Sequence, residues 1–202
     1  MTEKEKAAKG LLYNANYDKA LIEERAFAKG LCYEYNQLHP VKLEERNAIM
    51  KKLLGKTAGS FLIEPPFVCD YGYNIEIGEH FYMNHNGVLL DGAKITFGDN
   101  VFIAPNCGFY TAGHPLNAEQ RNEGLEYAYP ITVGSNVWIG AGVSVLPGVT
   151  IGDNSVIGAG SVVTRSIPAG VVAVGNPCRV IREIAGEDGE TNRQEQASPP
   201  IF

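Results

Sequence analysis

"VTIGDNSVIGAGSVVT", residues 149–164, places a branched aliphatic side chain ahead of a glycine or small residue at every sixth position. A strand repeats every two residues and a helix every 3.6, so neither element alone asks for this period. The spacing continues outward. Val133-Gly134, Ile139-Gly140, Val145-Leu146, Ile151-Gly152, Ile157-Gly158 and Val163-Thr164 stand six apart. Ile131, Val137, Val143, Val149, Ser155 and Ser161 form a second set two places earlier. Upstream, Ile77-Gly78, Met83-Asn84 and Leu89-Leu90 share one frame. Phe97-Gly98, Ile103-Ala104 and Phe109-Tyr110 share another, displaced by two residues near Asp91-Gly92 as a short insertion at a corner would displace it.

A unit of this length reads as strand steps followed by a tight corner, with the aliphatic pointing inward and the glycine permitting the turn. Three units close a triangular coil of about 18 residues, and successive coils stack at the parallel-strand spacing of roughly 4.8 Å. At roughly 2 kcal/mol per buried aliphatic, a coil with three on its axis gains about 6 kcal/mol before chain entropy is subtracted. One coil would not fold alone, whereas a stack would. The rival architecture, a β-sandwich, turns every 8–12 residues with variable loops. The unbroken hexads therefore predict a mainly β fold, a parallel β-helix over residues 59–180. The period does not set its hand, and right-handed crossovers are the general rule for parallel strands.

Residues 1–58 read as an N-terminal helical subdomain rich in Glu, Lys, Ala and Leu. Leu21, Ile22, Arg25, Ala28, Lys29 and Cys32 set a mixed apolar face at helical spacing. His39-Pro40 breaks the pattern, and the next helix, carrying Leu43, Ile49, Leu53 and Leu54, ends at Gly55 as a cap. Residues 181–202 form a C-terminal segment whose polar end, "GEDGETNRQEQASPPIF", is expected to be a mobile tail.

The formal charge of −6 over 202 residues argues against nucleic acid as the main partner. No run of about 18 apolar residues predicts a membrane span. The charged start "MTEKEKAAKG" has no signal-peptide character, so a cytoplasmic location is expected. Cys32, Cys69, Cys107 and Cys178 lie far apart without a CxxC pair and read as reduced, buried thiols.

The repeat stops in an insertion loop, residues 110–130, with "YTAGHPLNAEQRNEGLEYAYP". A β-helix has no concavity of its own, so a looped-out segment is the simplest way to build a cleft. Its one histidine, His114, is followed by a proline that restrains its backbone. An imidazole suits general-base work near neutral pH. Of the loop carboxylates Glu119, Glu123 and Glu126, the last is chosen to orient the ring.

The hexads of "PITVGSNVWIGAGVSVLPGVTIGDNSVIGAGSVVT", the loop "TAGHP", "VGNPCRVIREI", "EKEKAAKGLLY", "YEYNQLHP" and "IEPPFVCDYGYNIEIG" resemble the maltose and galactoside O-acetyltransferases of the hexapeptide-repeat superfamily. The resemblance covers nearly all of residues 3–185. It implies a left-handed parallel β-helix, a homotrimer with active sites between subunits, acetyl-CoA as donor, a small sugar as acceptor and no required metal. It makes His114 the general base that deprotonates a sugar hydroxyl in a ternary complex. Asn84 matches the family's catalytic and substrate-positioning asparagine, and the Ala141 N–H becomes a second oxyanion donor. Asp70, Asn84 and Asp91 match acceptor contacts. Ala141, Ala159, Thr164, Arg165, Arg179, Arg182 and Trp138 match the acetyl-CoA channel, with the arginines suited to phosphate groups. Asn14 stands where many relatives carry an acidic residue, and Asp18 is out of register, which leaves the acceptor open.

Two other functions fit the repeat. A zinc hydratase like the gamma-class carbonic anhydrases needs three convergent histidines, and His80, His85 and His114 are the candidates. A noncatalytic trimeric scaffold needs only the repeat.

Overall fold

A computed structural model describes residues 1–185. The segment expected to be a mobile tail, 186–202, lies outside the described residues. From Lys56 onward the chain winds as a left-handed parallel β-helix of about 6 turns. Three stacked sheets form the walls. The first comprises Lys56–Thr57, Ile75–Ile77, Ile95–Phe97, Ile131–Val133 and Thr150–Ile151. The second comprises Phe61–Ile63, Phe81–Met83, Phe102–Ile103, Trp138–Ile139, Val156–Ile157 and Val171–Val174, with Arg179–Glu183 folding back antiparallel. The third comprises Phe67–Cys69, Gly87–Leu90, Gly108–Tyr110, Ser144–Val145 and Val162–Val163. The right-handed rule describes crossovers between strands; here each crossover is itself made of strands and carries no helix to impose that hand.

The inward residues are those of the hexads. Ile77, Met83, Phe97, Ile103, Val133 and Ile139 lie in the core, as do Val145, Ile151, Ile157 and Val163. Ser155 and Ser161 are also buried, and each hydroxyl donates to a backbone carbonyl, of Pro168 at 2.9 Å and Gly158 at 2.6 Å.

The corner chemistry differs from expectation. The glycine after each aliphatic does not adopt the left-handed conformation; the residue two further on does, at Asn136, Gly142, Gly148, Asn154 and Gly160. The glycine is needed for vertical stacking instead. A Cβ on Gly140 would stand 2.6 Å from the Ala159 backbone nitrogen, and one on Gly134 would stand 2.1 Å from Asp153 Oδ1. Asparagine shares the corners because its amide side chain tolerates positive φ and bonds to its neighbour in the stack. Asn136 Nδ2 donates to Asn154 Oδ1 at 3.1 Å and Asn86 Nδ2 to Asn106 Oδ1 at 2.9 Å.

Upper coils advance 18 residues, Thr132 lying opposite Thr150 and Trp138 opposite Val156. Lower coils advance 20, Tyr82 lying opposite Phe102 and Val88 opposite Gly108. The extra residues all fall at the corner between the third and first sheets, at Asp70–Asn74 and Asp91–Lys94. The insertion, Thr111–Pro130, leaves from that same corner one coil higher.

At the N-terminus, helix α1 (Glu3–Ala8) begins with a reciprocal capping box between Thr2 and Glu5. A two-residue strand, Tyr13–Asn14, leads to α2 (Lys19–Gln37) and α3 (Leu43–Leu53). Helix α2 buries Leu21, Ala28, Leu31, Cys32 and Tyr35. Ile22 and Lys29, expected on that face, are exposed. Gly55 is not a cap: α3 ends at an extended Leu54, and Gly55 is required because a Cβ there would lie 2.0 Å from the Tyr73 carbonyl oxygen. Buried Arg46 fastens the helices to the first coil, donating to the Ile63 carbonyl at 2.6 Å and pairing with Glu64 at 3.0 Å. All four cysteines are free and buried. Among the described residues no helix is long and apolar enough to cross a membrane.

Candidate active site

The site grows from the enlarged corner. After Tyr110 the chain forms strand Ala112–Gly113, the short helix α4 (Ala118–Asn122) and strand Leu125–Ala128. The two strands pair antiparallel, and Tyr13–Asn14 adds to the far edge of Leu125–Ala128. The insertion is therefore a three-stranded flap stitched to the N-terminal segment. His114 follows its first strand, and the Arg121 guanidinium braces the turn by donating to the Pro115 carbonyl at 3.1 Å.

The His114 Nδ1 lies 3.0 Å from the Leu125 carbonyl oxygen. A carbonyl only accepts, so Nδ1 carries the proton and the neutral ring has its lone pair on Nε2. The side chain is 49% exposed, which leaves Nε2 open to a substrate. Glu126 does not orient the ring through Nδ1: the Leu125 carbonyl does that, and Glu126 Oε1 stands 4.0 Å from Nε2 instead.

Of the acceptor candidates, Asp70 is half-buried beneath α2, and burial pushes its carboxyl up while Arg25 and Lys29 draw it down. Asp91, matched to an acceptor contact, serves the corner as a buried post. It is fully buried, and its carboxylate accepts from the backbone amides of Asp70 at 3.1 Å, Tyr71 at 2.8 Å and Asn74 at 3.3 Å. Asp18 is the α2 N-cap, accepting from the Leu21 amide at 2.9 Å, and Asn14 Oδ1 accepts from the Tyr17 amide at 3.0 Å. Asn84 directly follows the second-sheet strand Phe81–Met83, and its Oδ1 accepts from the His85 amide at 2.7 Å. Among the described residues no hydrogen bond or ion pair joins Asn84 to His114.

Arg25, which sequence reasoning left in a helix face, reaches this corner. Its guanidinium donates to the Tyr71 hydroxyl and the Ala15 carbonyl, both at 2.6 Å, beside Asp70. The available signal was an arginine on a largely apolar stripe that also carries Lys29. His80 is a positive-φ corner residue and His85 Nδ1 meets the Pro65 carbonyl. Among the described residues no group of three or more His, Cys, Asp or Glu gathers as a metal site within this chain.

The residues matched to the donor channel lie along the upper coils. Ala141 and Ala159 are exposed one above the other, the Gly160 amide donating to the Ala141 carbonyl at 2.8 Å. Gly140 is buried beneath Ala159, whose backbone nitrogen a Cβ there would meet at 2.6 Å. Thr164 and Arg165 are exposed on the next coil, Trp138 is 48% exposed, and Arg179 and Arg182 project from the returning strand.

The profile of the maltose acetyltransferase hexapeptide capping motif matches residues 6–59, and that of the bacterial transferase hexapeptide, with six repeats, matches residues 130–165. A Saccharomyces cerevisiae protein provisionally named an acetyltransferase is 58% identical over 182 residues, covering 90% of this chain and 93% of its own. A galactoside acetyltransferase solved in complex with coenzyme A superposes with a TM-score of 0.90 at 47% identity, over 93% of this chain and 94% of that one. A maltose O-acetyltransferase from Clostridium difficile 630 does so with a TM-score of 0.90 at 51% identity, over 92% and 98%. The capping motif, the hexapeptide coil and an identity of about half or more over nine-tenths of the chain place it in the maltose and galactoside O-acetyltransferase family of hexapeptide-repeat acetyltransferases.

Proposed function

We propose that the protein transfers an acetyl group from acetyl-CoA to a hydroxyl of a small sugar, with His114 as general base, in a ternary complex at a cleft shared by two protomers of a homotrimer. The observation that carries this reading is the pinned imidazole: Nδ1–H is held by the Leu125 carbonyl, and among the described residues the half-exposed ring has no hydrogen-bond partner at Nε2, where Glu126 stands 4.0 Å away. In that tautomer the ring takes a proton from an acceptor hydroxyl at Nε2 while keeping its orientation. Acetyl-CoA supplies an activated acetyl carbonyl. The exposed Ala141 backbone offers an N–H for charge developing on that oxygen. The small exposed side chains of Ala141 and Ala159 leave room for an extended, amide-bearing arm, and Arg165, Arg179 and Arg182 suit its phosphates. Asp70 and Arg25, one carboxylate and one guanidinium at the half-buried floor, suit hydroxyl groups of a polyol. Asn84 requires a neighbouring protomer's loop to meet a base.

Release of free thiol from acetyl-CoA, measured across a panel of glucose, maltose and galactosides, tests the reading. His114→Ala is expected to lower turnover by about 10²–10⁴-fold with the fold retained. Undiminished turnover would remove His114 from the mechanism. No thiol release with any hydroxylated acceptor would favour the noncatalytic scaffold.

A further inference from the structure

Tyr13 lies 113 residues from Glu126 in sequence, yet its hydroxyl donates to Glu126 Oε2 at 3.3 Å. It is 2% exposed and belongs to a small second core with Ala7, Ala15, Leu21, Tyr71 and Ala128. The antiparallel register sets Tyr13 opposite Glu126 and Asn14 opposite Leu125. Those two partners are the residues that approach the two nitrogens of His114: Leu125 through its carbonyl at Nδ1, Glu126 through its carboxylate at 4.0 Å from Nε2. The phenol is also pressed against the corner backbone, since a Cβ on Gly92 would lie 2.9 Å from its oxygen. The N-terminal strand thus reaches both sides of the imidazole through one neighbour each.

We propose that Tyr13 is a positioning residue that sets how Glu126 faces the base. This rests on the reading of His114 as general base. The carboxylate has two oxygens and Tyr13 holds one of them. The other is thereby kept 4.0 Å from Nε2, outside hydrogen-bond reach. In the neutral ring the Nε2 lone pair stays open to the acceptor hydroxyl. When the O–H proton moves to Nε2, the imidazolium that forms finds a carboxylate near enough to stabilise it by charge and too far to take the proton. A carboxylate free to close on Nε2 would hold the ring protonated and block the base.

The surroundings agree with this assignment. Burial pushes the Tyr13 phenol far above its ordinary range, with the Glu126 charge adding to the effect, so it stays a donor at any working pH. The groups facing the cluster are Tyr71 and Asp70 from the adjacent corner, Arg25 from α2 through its bond to the Tyr71 hydroxyl, and Arg121 from α4. Arg25 is occupied by the Tyr71 hydroxyl and the Ala15 carbonyl, and Arg121 donates to the carbonyls of Pro115 and Leu116. Tyr13 is the group hydrogen-bonded to the Glu126 carboxylate among the described residues.

Tyr13→Phe removes the hydroxyl and keeps the ring that packs. Its kcat is expected to fall about tenfold, with the acetyl-CoA KM within about twofold of wild type. The acid limb of its kcat/KM profile should move up by about 0.5–1 pH unit, because the freed carboxylate favours the imidazolium. In a Glu126→Gln background the carboxamide carries no charge, so adding Tyr13→Phe should no longer move that limb. Glu126→Gln alone, which leaves the core intact, should move the limb down. A Tyr13→Phe enzyme with wild-type kcat and pH profile would overturn the proposal. So would an equal loss of kcat in the Glu126→Gln background, which would mean that Tyr13 acts through packing. If Tyr13→Phe fails to fold, an unmoved limb in Glu126→Gln overturns it instead. His114→Ala separates the two readings: retained turnover there defeats the base assignment, whereas a dead His114→Ala beside a normal Tyr13→Phe defeats this proposal alone.

Discussion

Asp91 is the residue where chemistry and fold compete most directly. A carboxylate with no water around it is expensive, and burial pushes its pKa up to about 6 even though the Tyr71 and Asn74 amides donate to it. A folded value above the unfolded one means that the folded chain binds the extra proton between the two. The stabilisation is then full below the ordinary aspartate range near 4 and is lost as pH rises through about 6. The shift of about two units corresponds to up to about 3 kcal/mol. Asp91→Asn keeps an oxygen for the Asp70 and Tyr71 amides, loses the acceptor for Asn74, and escapes the ionisation penalty. Urea unfolding at pH 4.5 and pH 7.5 should find the variant less stable than wild type at the lower pH, with the gap narrowed by roughly 1–3 kcal/mol at the higher. A constant gap would show that the carboxylate stays charged, or stays neutral, across the range. Nothing in "LLDGAK" distinguishes a buried post from an exposed ligand, because what buries Asp91 is the corner of the coil below, about 20 residues earlier.

Among the elements, the coil was legible and the flap was not. The hexads state their own inward positions, since each aliphatic returns to the same wall after three turns of a corner. The two-residue slip near Asp91 likewise marked a true corner, and it recurs at Asp70–Asn74. The insertion has no such periodicity. Its strand Leu125–Ala128 takes its partner from residues 13–14, and pairing at that sequence distance leaves no local trace. The role of the hexad glycines was half legible: a small residue is required, but for stacking and not for a left-handed backbone. Gly140→Ala tests this. The added methyl group meets the Ala159 backbone at 2.6 Å, where no side-chain rotation relieves it. The upper coils should lose about 2–3 kcal/mol, seen as a drop in thermal midpoint. Gly142→Ala has free space, with nothing nearer than 4.0 Å, but a φ of 70°, so it should lose only about 1 kcal/mol. The reverse order of severity would restore the original reading of the hexad glycine.

As a whole the molecule is a triangular prism with three unlike faces. The outward residues of the first sheet are Lys56, Glu76, Thr96, Thr132 and Thr150, a polar wall suited to solvent. Those of the second are Leu62, Tyr82, Phe102, Trp138 and Val156, with Phe102 52% exposed. Those of the third are Val68, Val88, Gly108, Ser144 and Val162. Two adjacent apolar faces give each prism one surface for each of two neighbours, as a cyclic trimer requires. This geometry supports the proposed homotrimer, and it gives the half-exposed His114 loop a neighbouring surface on which to complete a cleft. Phe102→Asp places a charge in the middle of the second face without touching the core, because the residue points outward between Tyr82 and Trp138. Light scattering should give wild type three times the 21.9 kDa chain mass, and the variant a single chain mass with an intact far-ultraviolet spectrum. Thiol release should fall with the trimer, since a base facing open water has no second wall to hold the acceptor against it. A monomeric wild type with full turnover would confine the site to one prism, and a trimeric Phe102→Asp would move the contact to another face.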